Sequence, residues 1–190
     1  MSLDLTACSD GELAGLAVAN NQAAFREIIR RHREPIYRLI RGYTGDGEEA
    51  LDLTQDSFAS AFQHLRSYDQ SRSFRAWLVQ VALNKSRDFC RRRHVRQILS
   101  FANDLGPNLL EASADEAPGP DDTTFFRAQF ARLSRAIAEL PAPLKETLLL
   151  RTIEGFSQAE TALALSIGEK AVETRLARAR TKLRKIFPRD

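Results

Sequence analysis

Five apolar residues near the C-terminal end, Val172, Leu176, Ala179, Leu183 and Ile186, recur at alternating steps of four and three. That is the spacing of an α-helix with one buried stripe. Upstream, Ser157 followed by Glu160 makes a capping box, so a helix is expected to start there with its free amide donors satisfied by those side chains. Ala159, Ala162 and Leu163 are expected to supply a close-packing inner face for this first helix. Leu165, Ser166, Ile167 and Gly168 then form a break, with one apolar residue pinned inward and the glycine taking the turn. The whole is a helix-turn-helix. Arg175, Arg178, Lys182 and Lys185 form a second stripe on its last helix, widened by Lys170, Arg180 and Arg184. A basic amphipathic helix is often only a solvated face. A solvated face does not need the cap, the turn and the uninterrupted apolar stripe in that order, so contact with phosphates and a major groove is the stronger reading.

The rest of the chain sets limits on what accompanies this motif. At 190 residues it can hold one large domain or two small ones. A hydrophobic content of 43% is that of an ordinary globular protein. The net charge of +3 hides an uneven distribution: no Lys or Arg occurs from Gln97 through Phe126, whereas Asp104, Glu111, Asp115, Glu116, Asp121 and Asp122 do. Positive charge is therefore concentrated in the two flanking segments, each of which can present a field to a polyanion. Cys8 and Cys90 lie far apart without metal-like spacing, which suits a reduced, cytoplasmic protein. No apolar run is long enough to span a bilayer and the N-terminus does not read as a signal peptide, so membrane insertion is not expected.

Periodic segments are helical throughout, predicting an all-α fold of two small helical domains joined by a flexible acidic linker. Ser9 with Glu12 is a further capping box, opening a short helix that ends near Asn20 and Asn21. Phe25, Ile28, Ile29, Ile36, Leu39 and Ile40 predict a helical stretch, with Pro35 as a break or kink. Thr44 to Gly47 reads as a loop. A helix follows from Glu48 to about Leu65, with Leu51, Phe58, Phe62 and Leu65 pointing inward, and another runs from about Phe74 to Arg96. The boundaries expected are a first domain at 1–96, a tether at 97–126 and the helix-turn-helix domain at 127–190.

Two surfaces stand out on the first domain. On the helix from Glu48, Asp52 and Asp56 sit one turn apart beside Gln55. No histidine or third carboxylate completes a metal shell, so no metal is expected, and a docking patch for a basic or polar partner is the better reading. On the next helix Phe74, Trp77, Leu78, Val81, Ala82 and Phe89 make the inner face, while Gln80, Asn84, Arg87 and Arg91 recur on another. Arg92, Arg93 and Arg96 extend the charge. Amides set among guanidinium groups suit bases and phosphates together.

These segments, taken in order, resemble the sigma factors of bacterial RNA polymerase, specifically the small two-domain extracytoplasmic-function (ECF) group of the sigma-70 family. EEALDLTQDSFASAFQHLRSYD is similar to the group's core-binding helix, SFRAWLVQVALNKSRDFCRRR to its helix for the minus-ten promoter element, and the C-terminal run to its helix-turn-helix for the minus-thirty-five element. The resemblance implies that Asp52, Gln55, Asp56 and Phe58 engage the clamp helices of core RNA polymerase. It implies that the loop from Arg66 to Ser73, with Arg66, Ser67, Tyr68, Asp69 and Ser71, captures an unpaired base, and that Asn84, Arg87, Arg91 and Arg92 hold the duplex and melted strand upstream. Lys170, Glu173, Thr174, Arg175 and Arg178 are the implied contacts to minus-thirty-five DNA. It further implies promoter DNA as ligand, no cofactor, no catalysis by the chain itself, a role in a stress or envelope response, and control by an anti-sigma factor.

The chain departs from the family pattern where the turn usually has Gly at Ser166 and Ser at Gly168, which makes the cap of the last helix weaker or shifts it by one residue. Thr and Lys are frequent where Ala171 and Glu173 stand; Glu173 would repel phosphates yet can accept a hydrogen bond from cytosine. Two rival readings are a stand-alone regulator binding duplex DNA and a small effector, and a decoy that titrates a sigma factor's inhibitor. The first is opposed by the Asn and Arg helix, an odd wall for an effector pocket; the second predicts failure to support transcription with core enzyme.

Overall fold

The computed structural model describes residues 4–103 and 122–187, and these are helical apart from turns and short connections. In chain order they form α1 (Asp10–Val18), α2 (Gln22–Thr44), α3 (Gly47–His64), a 3-10 turn (Leu65–Ser67), α4 (Phe74–Asn103), α5 (Asp122–Ala138), α6 (Ala142–Thr152), α7 (Gln158–Leu165) and α8 (Glu169–Ile186).

Local chemistry accounts for the starts and stops. Ser9 and Glu12 cap each other's backbone at the head of α1. The Asn21 side chain accepts from the amides of Ala23 and Ala24, and that of Asp46 from Glu48 and Glu49. Glycine is needed at Gly45, whose φ of 81° ends α2. The expected loop thus shrinks to Gly45 and Asp46. Nor does Pro35 break α2, which runs through it as one helix.

The inward face of α3 differs from expectation. Ala50, Leu53, Thr54, Ser57, Phe58 and Ala61 are buried, whereas Leu51 and Phe62 are 44% and 49% exposed. Small residues at 50, 57 and 61 let the helix approach its neighbours closely. The buried hydroxyls of Thr54 and Ser57 are satisfied by donating to the carbonyls of Ala50 and Leu53, both at 2.6 Å. Phe62 instead lies at the rim against Phe25, with ring centroids 4.8 Å apart.

Arg31 straps the N-terminal segment to α2. Its Nη1 donates to the carbonyl of Cys8 at 2.8 Å and to Asp10 at 3.1 Å, and its Nη2 to the carbonyls of Thr6 and Leu5. Hydrogen bonds from Arg30 and Arg31 hold the Glu27 carboxyl down at about 2. A carboxyl lowered on folding favours the native state above its ordinary value of 4.5, and that contribution is lost as pH falls towards 2. An acid titration followed by circular dichroism should therefore show stability falling through this window, and Glu27→Gln should flatten that part of the curve. An unchanged slope in the variant would rule the linkage out.

The helices reach into both ends of the expected tether. α4 continues through Asn103 and α5 starts at Asp122, because QILSFAN contains no Gly or Pro and nothing in it stops a helix. The remaining acidic stretch, 104–121, lies outside the described residues.

The C-terminal helices pack directly on the N-terminal ones, α6 against α2 and α7 against α4. Leu149, Leu150, Phe156 and Ala164 join the same core as Ile28, Leu39, Ile40 and Leu83. A smaller cluster of Leu140, Leu148 and Ala179, with Leu176 and Leu183 against it, holds α6 to α8.

Candidate nucleic-acid interface

The helix-turn-helix is built as its punctuation predicts, with two corrections. The Ser157 hydroxyl accepts from the Glu160 amide at 3.1 Å while the Ser157 amide donates to the Glu160 carboxylate at 2.7 Å. The buried face of α7 is Thr161, Ala162 and Ala164, not Ala159 and Leu163; Leu163 is 71% exposed. One helical position is about 100°, so a one-residue shift in the buried set turns Leu163 to the outside. In the turn, the left-handed residue is Ser166, with φ 53° and ψ 47°, whereas Gly168 has an ordinary φ of −76°. The amide of Ile167 donates back to the carbonyl of Ala162 at 3.0 Å, closing α7.

Gly168 stands at the N-cap of α8 without a side-chain hydrogen bond. The cap is therefore weak rather than displaced. Ser166 carries a left-handed conformation that glycine adopts freely, and Gly168 leaves an amide donor that serine would satisfy. The double variant Ser166→Gly with Gly168→Ser should stabilise the chain by about 1 kcal/mol. Thermal unfolding checks this, and a lower midpoint would show that the side chain at Ser166 is needed.

On α8, Val172 and Ala179 are fully buried, Leu176 and Leu183 half-buried, and Ile186 is 37% exposed. Lys170, Glu173, Thr174 and Arg178 face outward and Arg175 is half-exposed. Thr174 spends its hydroxyl proton on the carbonyl of Lys170 at 2.9 Å. Among the described residues none of Lys170, Arg175, Arg178, Lys182 or Lys185 is held in an ion pair.

The N-terminal surfaces are arranged differently. Asp52, Gln55 and Asp56 are exposed on α3, but Phe58 is only 6% exposed and packs in the core. Asp56 also lines a cleft of about 660 Å³ with Lys85, Phe89, Arg91 and Arg92, so the acidic segment and the basic half of α4 share one depression.

The loop after α3 is ordered by its own bonds. Ser67 donates to the carbonyl of His64 at 2.7 Å, and both the amide and hydroxyl of Ser71 donate to Asp69, holding that carboxyl below its ordinary value. Tyr68 is an internal prop: its hydroxyl donates to the carbonyl of Arg72 at 2.6 Å and its ring meets Phe74 edge-on at 5.1 Å. Arg66, Ser67, Asp69 and Ser71 remain exposed at the rim.

Along α4 the expected polar stripe is divided. Arg91 is exposed beside Asp88, and Arg92 is exposed. Arg87, by contrast, is engaged with the C-terminal helices. Its Nε and Nη2 donate to the two carboxylate oxygens of Glu146 at 2.6 and 2.7 Å, while Nη1 donates to Asn84 at 2.9 Å. Gln80 approaches Ser166 at 3.4 Å.

Sequence reasoning did not find the groups that meet Arg87 and its neighbours. Lys145 and Glu146 are buried, and the Lys145 ammonium donates to the carbonyls of Ala138 at 2.6 Å and Tyr43 at 2.9 Å. Burial pushes the Lys145 ammonium below its ordinary value. Glu154, with its side chain 1% exposed, receives Arg75 and lies near Arg38, and burial raises its carboxyl. Arg75 also lies over the Phe156 ring at 4.4 Å. Gly42, a lone glycine inside a helical pattern, was the available hint of a close approach.

Comparison with known proteins identifies the family of both halves. Residues 28–96 match the family described as Sigma-70 region 2, and residues 130–183 match Sigma-70, region 4. RNA polymerase sigma factor CnrH of Cupriavidus metallidurans is 37% identical over 183 residues, 96% of each chain. The chain belongs to the ECF sigma factors of the sigma-70 family.

This sigma factor is also 31% identical over 179 residues to the ECF RNA polymerase sigma factor SigM of Mycobacterium tuberculosis, covering 94% of this chain and 85% of that one. The structure of CnrH in complex with the cytosolic domain of CnrY superposes with a TM-score of 0.70 at 30% identity, over 94% of this chain and 96% of that one. The sigma factor RpoE in complex with the anti-sigma factor NepR, from Bartonella quintana, shares the fold with a TM-score of 0.66 at 20% identity, over 87% and 98% of the two chains. As a sigma factor the chain is a non-catalytic subunit of RNA polymerase that acts in transcription initiation.

Proposed function

We propose that this sigma factor reads its promoter through α8 and the loop-α4 surface while α3 seats it on core RNA polymerase. The observation that carries the reading is the face of α8, where Lys170, Arg175 and Arg178 have no acidic partner among the described residues, on a helix fixed by its buried stripe and preceded by the capped α7. Such a face offers its full charge to phosphates. Lys170, Glu173, Thr174, Arg175 and Arg178 are then the contacts to the minus-thirty-five element. Arg66, Ser67, Asp69 and Ser71 ring the pocket for a flipped base, with Tyr68 shaping it, and Asn84, Arg87, Arg91 and Arg92 follow the strand upstream.

Asp52, Gln55 and Asp56 provide the polar surface for polymerase, and Phe58 acts from beneath by fixing α3. The stretch between α4 and α5 carries acids and no Lys or Arg, a charge that would keep it off DNA. Regulation by an anti-sigma factor, a cytoplasmic location and a stress or envelope response belong to the same proposal; the complexes of CnrH and RpoE named above support the first. No described helix is long and apolar enough to cross a membrane.

Transcription in vitro with core polymerase on a promoter library tests the assignment. Start sites should depend on the sigma factor and define both elements, with activity falling steeply as salt rises. Tight duplex binding without polymerase, and no dependent start site, would favour a stand-alone regulator instead.

A further inference from the structure

We infer that α1 is a positioning strut for the loop after α3, and that it sets the side-chain amide of Gln70 as the reader of the captured base. The inference rests on the reading of that loop as the pocket for a flipped base; it adds the group that reads the base and the element that places it. α1 lies ahead of residues 28–96, the segment matched to region 2.

The polar groups of the loop divide into spent and unspent. Ser67 gives its hydroxyl proton to the carbonyl of His64, Tyr68 to that of Arg72, and Ser71 to the Asp69 carboxylate. None of these hydroxyls has a second proton to offer a ligand. The Gln70 side chain, exposed at the loop's tip, makes no hydrogen bond among the described residues. An amide carries both donors and an acceptor, so it can pair with an edge of any base, and its orientation decides which base it prefers. A reader of that kind has to be held in place.

α1 supplies the hold. A Cβ on Gly15 would lie 3.3 Å from Gln70 Nε2, and no other tertiary neighbour among the described residues comes within 4 Å of that point. The amide therefore rests against the bare flank of the helix, in the space that glycine leaves open. α1 is itself a fixed reference: its capping box sets its start, Leu13 and Ala14 are buried, and Arg31 of α2 donates to Asp10. The other Asp10 carboxylate oxygen lies 2.7 Å from His32 Nε2, the His32 ring is 5.8 Å from Phe74, and Phe74 meets Tyr68 edge-on. Two paths thus tie the loop to α1, one through these rings to Tyr68 on the inner side and one directly from Gly15 to Gln70 at the tip. The fit is sensitive because a shift of one carbon–carbon bond, about 1.5 Å, exceeds the working range of a hydrogen bond, about 0.5 Å.

Transcription by core polymerase with the full-length sigma factor, on templates varied at each minus-ten position, tests the strut. Gly15→Leu puts a branched side chain where the amide rests and meets nothing else at its Cβ; leucine is also a better helix former than glycine, so α1 stays folded and the melting temperature should not fall. Preference for the captured base over the other three should drop about tenfold, within the discrimination that a good amide pair provides. Gln70→Ala should lose the same amount, and the double variant no more than either single one, because both changes remove one contact. A Gly15→Leu chain with the wild-type preference, or losses that add in the double variant, overturns the strut. If Asp69→Ala shifts the preference and Gln70→Ala does not, the loop captures the base without Gln70 and this inference fails alone. If neither variant alters the preference at any position of the element, the reading of the loop as the capture pocket fails as well.

Discussion

Replacing Arg175 and Arg178 together by alanine should lower sigma-dependent transcription about a hundredfold while leaving the preferred promoter sequence unchanged. Each is a charge-assisted contact of the kind whose loss costs about 1.5 kcal/mol or more, roughly tenfold. Among the described residues neither has an acidic partner that would be stranded by its removal, and alanine is the best helix former, so α8 itself should persist. Purified variants should show an unchanged melting temperature, and the slope of log affinity against log salt should fall by about two. A shift in the preferred minus-thirty-five sequence would instead assign one of the arginines to a base edge, where a bidentate guanine contact discriminates by about 1–3 kcal/mol.

Phe156→Ala should be the most damaging single change to stability. The ring is 2% exposed and sits between α6 and α7, where it joins the main core and lies beneath the Arg75 guanidinium. Truncating a buried phenylalanine costs about 3–5 kcal/mol through lost burial and the cavity left behind. At roughly 2–4 °C per kcal/mol for a chain of this size, the melting temperature should fall by about 10 °C. The substitution also removes the ring under Arg75, whose Nη2 donates to the Glu154 carbonyl at 2.6 Å, so the join between the halves should loosen with it. A fall of no more than a degree or two would mean that the neighbouring leucines close over the cavity. Phe156→Leu, which retains most of the apolar volume, should recover most of the loss.

These two effects lie at opposite ends of what could be read in advance. The α8 face was legible because it depends on spacing alone: steps of four and three place Val172, Leu176, Ala179 and Leu183 inward and leave the arginines between them outside. Capping boxes at Ser9 and Ser157 were equally legible, since donor and acceptor are three residues apart. Orientation of α3 and α7 was not. Leu51, Phe62 and Leu163 are apolar yet exposed, and the buried sets rely on Ala, Ser and Thr, whose burial depends on how close a neighbouring helix comes. The turn was found but its strained residue was misplaced, because glycine at Gly168 invited the assignment and serine at Ser166 holds it with help from the closing bonds of α7.

From its residues alone this chain could be assigned its helices, their caps, the positive face of α8 and its likeness to a sigma factor, all of which rest on interactions within a few positions along the chain. The tertiary structure decided that Phe58 and Tyr68 work from inside, and that Arg87 meets Glu146 across 59 positions. It also decided that α6 closes onto Gly42. No periodicity encodes a pair that distant: whether a charged side chain faces solvent, DNA or a buried carboxylate depends on how helices far apart in sequence pack together.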